Sequence, residues 1–295
     1  MSVSPPTILV QKVDIFYLGR YNTNNYPVDA ILNQDTLKYQ TQVYEEEIQR
    51  TNLKRYVHHL NNLDPANQWT EVKLSDKTLN ILKKFNGAGW RSGHLVLPQD
   101  TDSFDELWSC VEELKQTGLF DGRRWFFRFS RNSPKDGIPS FPVLSEYDVL
   151  EKIATSARAS FALEYGDDTL YLKPYREDID ICDEFRVFIH SRKMTAISTY
   201  TCEFTEYTMM SEQVLTHVAR RIYEFWRSLD FLNVLPESYT MDVSLPSPDE
   251  DIYLIEFNTF GYWLPASSCL FDWLNDYDTL YSDGSQIVFR LANLF

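Results

Sequence analysis

The chain predicts an α+β protein built on antiparallel sheet rather than a doubly wound parallel one. Two observations carry this. Strand-like and helix-like segments do not alternate one for one; they run strand, helix, strand, hairpin, helix, hairpin. Two pairs of strand segments are also joined by turns, as antiparallel neighbours are.

Residues 8–16 are a short apolar strand candidate, and 42–63 read as a polar, charged helix. A second helix follows Ser75, with Leu79, Leu82 and Phe85 on one face. Ser103-Phe-Asp-Glu106 has the form of a capping box, and Leu107, Val111 and Leu114 extend its apolar stripe towards a stop near Gly118. A strand over 124–130 leads into a polar loop over 131–137. A helix opens at Ser145, with Leu150, Ile153, Ala154 and Ala157 on one side, and 169–173 form a strand. Segments 184–190 and 194–198 read as a hairpin turning at Ser191-Arg192-Lys193. A long helix starts near Ser211, with Val214, Val218, Ile222, Phe225 and Leu229 recurring at helical spacing. The last hairpin pairs 239–243 with 254–258 across a turn that carries Pro246, Pro248, Asp249 and Asp251.

A chain of 295 residues has room for one large domain or two lobes. The net charge of −15 argues against non-specific nucleic-acid binding, which needs a basic surface. It is compatible with a basic protein partner and with simple solubility. No apolar run is long enough to span a bilayer, and the N-terminus lacks the basic-then-apolar pattern of a secretory signal. Cys110, Cys182, Cys202 and Cys269 form no Cys-x-x-Cys pair and read as reduced thiols of a cytoplasmic protein. His58 and His59 point about 100° apart on a helix and read as solvated. Ser, Cys and His assemble no nucleophile constellation.

The last hairpin carries the sharpest chemical signal. Closed symmetrically about Asp249, it sets Asp242 across from Glu256, and alternation puts Glu256 and Asn258 on the same face. Val243, Ile255 and Phe257 take the other face. Two adjoining carboxylates require a cation or a proton. An oxygen-only donor set suits Mg²⁺, which takes its remaining ligands from water and phosphate. An ordinary exposed hairpin with acidic outer positions fits the same spacing.

Three further segments bear on a nucleotide. Arg128 is a cation in an aromatic strand: it either meets a phosphate or snorkels to water. The loop after it offers backbone N–H groups that could cover phosphates, but it has a single Gly and matches no P-loop. In Lys173-Pro174-Tyr175 the proline limits strand pairing beside a lysine, a place for an adenine to take main-chain hydrogen bonds. Arg186 alternates with Glu184 and Phe188 on one strand face and can pair with a phosphate or with Glu184.

In this order, the segments 128–136, 184–189 with 196–198, 241–243, 254–261 and 268–273 resemble the cell division cycle protein 123 family. The resemblance covers roughly residues 120–275. It implies an ATP-grasp-like fold, two lobes with antiparallel sheets clasping a nucleotide. It implies an N-terminal lobe and helical region over 1–120 and a nucleotide-binding region over 121–295. Arg128 stands where the family has a phosphate-binding Lys, and Lys173, with Pro174 and Tyr175 after it, matches the strand that borders the adenine. Arg186 matches the family's Glu-Phe-Arg, and Asp242, Glu256 and Asn258 match its metal-binding positions, with Glu256 replacing an Asp. The implied cofactors are ATP and Mg²⁺. The implied role is assembly of translation initiation factor two through its gamma subunit, in the cytoplasm, with no nucleic acid or membrane. Departures mark a divergent member: Thr199-Tyr-Thr201 where the family has Gln-Arg-Asp, Arg131 in place of a Trp, and no acidic tail. The Glu256-x-Asn258 pattern also fits an ATP-grasp ligase that joins a carboxylate to an amine through an acyl phosphate.

Overall fold

The computed structural model describes residues 5–14, 45–92, 101–201, 203, 205–262, 264 and 266–293. It is a mixed α+β protein with two sheets. The chain falls into two compact units, one formed by 1–56 with 177–295 and the other by 57–176. The division does not follow residue 120. The later unit boundary lies just after the strand Thr169–Pro174, and residues 72–120 share one core with the strands and helices up to 172.

The unit over 57–176 holds a three-stranded antiparallel sheet in the order β2-β4-β3, with β2 Thr70–Lys73, β3 Trp125–Phe129 and β4 Thr169–Pro174. Alternation divides its faces. Val72, Phe127, Phe129, Leu170 and Leu172 enter the core, where they join Leu82 and Phe85 of the helix Asp76–Ser92, Leu107, Val111 and Leu114 of the helix Thr101–Lys115, and Leu150 and Ile153 of the helix Glu146–Thr155. These are the stripes that sequence periodicity predicts. Glu71, Phe126, Arg128, Tyr171 and Lys173 share the opposite face through the register.

Two helix boundaries differ from expectation. The helix Thr101–Lys115 already includes Ser103, so Ser103 is no cap. The capping box of this unit is Ser145 with Asp148, each side chain reaching the other's backbone. The helix begun there stops at Thr155, and Ser156 caps a separate helix, Ala157–Glu164, which takes Ala157 with it.

The other unit is a six-stranded mixed sheet, β1-β9-β6-β5-β7-β8. Its strands are β1 Thr7–Asp14, β5 Glu184–His190, β6 Lys193–Thr199, β7 Tyr239–Ser244, β8 Tyr253–Asn258 and β9 Gln286–Asn293. The hairpin β5–β6 turns at Ser191-Arg192, both at positive φ, the backbone that a two-residue hairpin turn requires. β1 and β6 pair parallel to β9, a strand that the sequence reading did not anticipate. A parallel neighbour needs a long crossover, and the chain between β6 and β9 supplies it.

The helix Glu212–Ser228 is capped by Ser211, as the sequence predicts, and packs against β1. It buries Leu215, Val218, Ala219, Ile222 and Trp226, so the stripe is turned slightly from Val214 and Phe225, which stay half-buried. The helix expected over 42–63 is broken. Residues 45–50 are helical, Asn52 is extended, and the one-turn helix Leu53–Arg55 and the helix Val57–Leu63 follow; residues 42–44 and 15–16 lie outside the described residues. His58 and His59 do not diverge: their rings are 3.7 Å apart, because side-chain rotation closes the gap between their Cβ directions.

Candidate functional site

One residue from each strand of the six-stranded sheet lies in a single transverse row: Gln11, Arg290, Ser198, Arg186, Asp242 and Glu256. Directly paired residues project to the same face, so the row is a polar band across the sheet. Asp242 does oppose Glu256, as the hairpin symmetry predicts. Past that pair a bulge inserts Ile255, so Val243 meets Leu254 instead.

The cation that adjoining carboxylates require comes from within the chain. Arg186 on β5 holds Asp242 on β7 in a bidentate pair, Nε to Oδ1 at 2.8 Å and Nη2 to Oδ2 at 2.7 Å. Its Nη1 donates to the Ser267 carbonyl at 2.9 Å, and its guanidinium lies over Tyr200. Asn258 Nδ2 also donates to Asp242 Oδ2, at 2.9 Å. Arg186 and Asp242 are buried, 3% and 0% exposed. Burial works against the Arg186 charge, and the Asp242 carboxylate outweighs it, holding the guanidinium well above its ordinary pKa. Arg186 therefore pairs with Asp242, whereas the two partners considered from sequence were Glu184 and phosphate.

Beside this pair, Glu256 and Asn258 are half-buried at the end of β8. Among the described residues no group of three His, Cys, Asp or Glu is placed to hold a metal. A magnesium ion here would rest on two carboxylates and the Asn258 oxygen at most, with Asp242 already accepting three hydrogen bonds. That donor set fits Mg²⁺ and no softer metal, with Glu256 and Asn258 as the principal protein ligands.

The other end of the row anchors a loop. Arg290 holds Asp276 through two hydrogen bonds of 2.6 and 2.7 Å, donates to Gln11 and to the Leu270 carbonyl, and lies over Phe271. Ser198 Oγ accepts from Leu270 N–H. With Arg186 on the Ser267 carbonyl, the row ties the 266–276 loop across the sheet face.

The remaining sequence-predicted residues sit in the unit over 57–176. Arg128 is 3% exposed, so it does not snorkel; it donates to the carbonyls of Phe129 and Arg131, both at 3.1 Å. Lys173 is 7% exposed, with Nζ 4.6 Å from the Trp69 ring centre and 5.8 Å from that of Phe126. Asn61 grips Trp69 by both main-chain polar groups, at 2.7 and 3.0 Å. Trp69, Phe126 and Asn61 were missed from sequence; Trp69 precedes a four-residue strand too short for periodicity to reveal. β2 pairs with β4 only as far as Leu172, before Lys173-Pro174, and Tyr175 N–H bonds to the Arg124 carbonyl.

The loop after β3 is not a nest of outward amides. The N–H groups of Arg131, Lys135, Gly137 and Ile138 donate to Asp167, Ser133, Pro134 and Thr155. Arg131 pairs with Asp167 at 3.4 Å and lies over Tyr165. Lys152, fully buried, holds the loop from beneath through the carbonyls of Gly137 and Pro139, at 2.7 and 2.6 Å. A Cβ at Gly137 would run into the Lys152 carbonyl.

Residues 147–293 match the D123 family model. A 183-residue stretch is 30% identical to a putative CDC123-like protein of Acanthamoeba polyphaga mimivirus, covering 57% of this chain and 54% of the relative, so the match spans about half the relative's length. Cdc123 from Schizosaccharomyces pombe has a similar fold. Its C-terminally truncated form superposes with a TM-score of 0.62 at 13% identity, over 84% of this chain and 97% of that one. A second structure of Cdc123 from the same yeast gives 0.60 at 14% identity and the same coverage. Together with the sequence match across 147–293, these findings show that the chain belongs to the D123 family, the family of Cdc123.

Proposed function

We propose that this protein binds Mg-ATP and serves as an assembly factor for a protein client, the gamma subunit of translation initiation factor two being the client that the family resemblance implies. The observation that carries the nucleotide reading is the Arg186–Asp242–Asn258 group with Glu256 beside it, at the positions the resemblance marks for metal. Bound Mg²⁺ would neutralise phosphate charge there. Glu256 and Asn258 would hold it, and the Arg186–Asp242 pair would fix the strands beside it. The resemblance assigns Lys173, Pro174 and Tyr175 to the base and Arg128 to the outer phosphates, and Arg128 and Lys173 share one sheet face.

Titration calorimetry with ATP, with and without Mg²⁺, tests the reading. The wild type should bind, and Glu256→Gln should lose about tenfold or more of the Mg-dependent affinity. Arg128→Gln should weaken ATP more than AMP. No binding by the folded wild type refutes the nucleotide reading. ADP release that rises on adding amino acids or peptides would replace the assembly factor with a carboxylate–amine ligase.

A further inference from the structure

The unit that carries the polar row also holds a cavity of about 1130 Å³, lined by none of Arg186, Asp242, Glu256 or Asn258. It lies by the β5–β6 turn, where the row next to the polar one is apolar: Phe188, Ala196 and Val288 are mutually paired and covered by Phe271, Trp273 and Leu280. One wall is a lattice of rings. Phe260 meets Trp273 at 4.9 Å and Tyr281 at 5.1 Å, both edge-on, and stacks on His190 at 5.6 Å; Tyr281 stacks on Tyr277 at 4.2 Å. The His190 ring is held on both sides, by Ser238 at Nδ1 and Ser191 at Nε2, so the wall is rigid.

The mouth has two properties that single out an occupant. Leu274 and Tyr277 line it and are 58% and 55% exposed, large apolar side chains left in water beside a concave surface. Arg50, Arg55 and Arg192 line it against only two carboxylates, Glu47 and Glu237, in a chain whose net charge is −15. Arg50 is already paired with Glu47 at 2.6 Å, and Arg192 is loosely held by Glu237 at 3.8 Å. Arg55 is exposed and has no ion-pair partner among the described residues. The lining thus carries one more cation than carboxylates in a chain that is acidic overall, and Arg55 supplies the excess, since Arg50 also meets Glu46 at 3.9 Å. The volume exceeds the roughly 300–1,000 Å³ of ordinary small-molecule sites.

We propose that this cavity seats an acidic peptide segment of a protein partner, with one bulky apolar side chain against the ring wall and flanking carboxylates at Arg55 and Arg192. Rigid aromatic walls give such an anchor a large buried area at little entropy cost, and the arginines fix the register of the segment. The inference stands apart from nucleotide binding, since the two sites share no residue.

The test is selection of random peptides displayed on phage against the full-length protein, followed by anisotropy titration of the enriched peptides, labelled with fluorescein. Enriched sequences should carry a Leu, Phe, Met or Trp flanked by Asp or Glu. Their affinity should fall about tenfold or more in Arg55→Glu and in Leu274→Ser, and stay unchanged in Glu256→Gln. Both cavity positions are exposed, so the variants should keep the wild-type melting temperature. Enriched peptides without acidic residues, affinities indifferent to both cavity variants, or no enrichment at all would overturn the proposal. So would a concentration-dependent dimer that Leu274→Ser dissolves, because a second copy would then be the occupant.

Discussion

Arg186 in one unit and Arg128 and Lys173 in the other are buried cations with different contacts. Arg186 faces a carboxylate at 2.7 Å, and the pair is close to neutral. Arg128 donates to main-chain carbonyls, and Lys173 lies over the rings of Trp69 and Phe126. The first arrangement builds a rigid centre that fixes strands and a loop. The second places two cations on one sheet face. Burial alone does not tell the two arrangements apart.

The contrast breaks most visibly at Asp242. Replacing it by Ala leaves Arg186 buried without its counter-charge, and should cost about 3–5 kcal/mol in urea unfolding. Loss of ATP binding in that variant would therefore say little about metal ligation. The double change Arg186→Met with Asp242→Leu should recover a substantial part of the loss. A double variant no more stable than Asp242→Ala would show that the pair is not the source.

Lys152 gives the next largest effect. Lys152→Met strands the carbonyls of Gly137 and Pro139, and should destabilise by about 1–3 kcal/mol. Burial lowers the Lys152 pKa from its ordinary 10.5 to about 8, against the opposing pull of Asp136. The folded protein then binds fewer protons than the unfolded chain between those values. The Lys152 contribution to stability should accordingly rise with pH from about 8 to 10.5, and be flat below. The difference in urea midpoint between wild type and Lys152→Met should shift in favour of the wild type across that range and stay constant below it.

The smallest effect on stability belongs to Glu256. Half-buried at an edge strand, it should destabilise the fold less than Asp242→Ala does when replaced by Gln, while the Mg-dependence of ATP affinity collapses. A large fall in the unfolding midpoint of Glu256→Gln would place it with Asp242 in the framework and remove the cleanest probe of the metal.

Much of this arrangement is legible in the chain because its causes are local. Alternation with period two puts Glu256 and Asn258 on one side, and the turn between 244 and 253 brings Asp242 opposite Glu256. Ser211 and Ser145 announce their helices because a hydroxyl beside the first turn satisfies its free N–H groups. The bulge at Ile255 is not legible, since alternation carries no mark of an inserted residue. Nor is the loop after β3: whether its amides face outward or donate to Asp167 and Thr155 depends on residues 36 and 17 positions further along the chain.

The sequence by itself determined most of the longer helices and strands, their apolar faces and the pairing within each hairpin, because these rest on neighbours a few residues apart. Only the tertiary structure decided that β5 lies beside β7, which brings Arg186 to a carboxylate 56 residues away, and that β9 joins β1 to β6. Such pairings are set by the burial of whole sheet faces and by which strands remain to be paired. That balance is struck over the entire chain, and no local pattern encodes it.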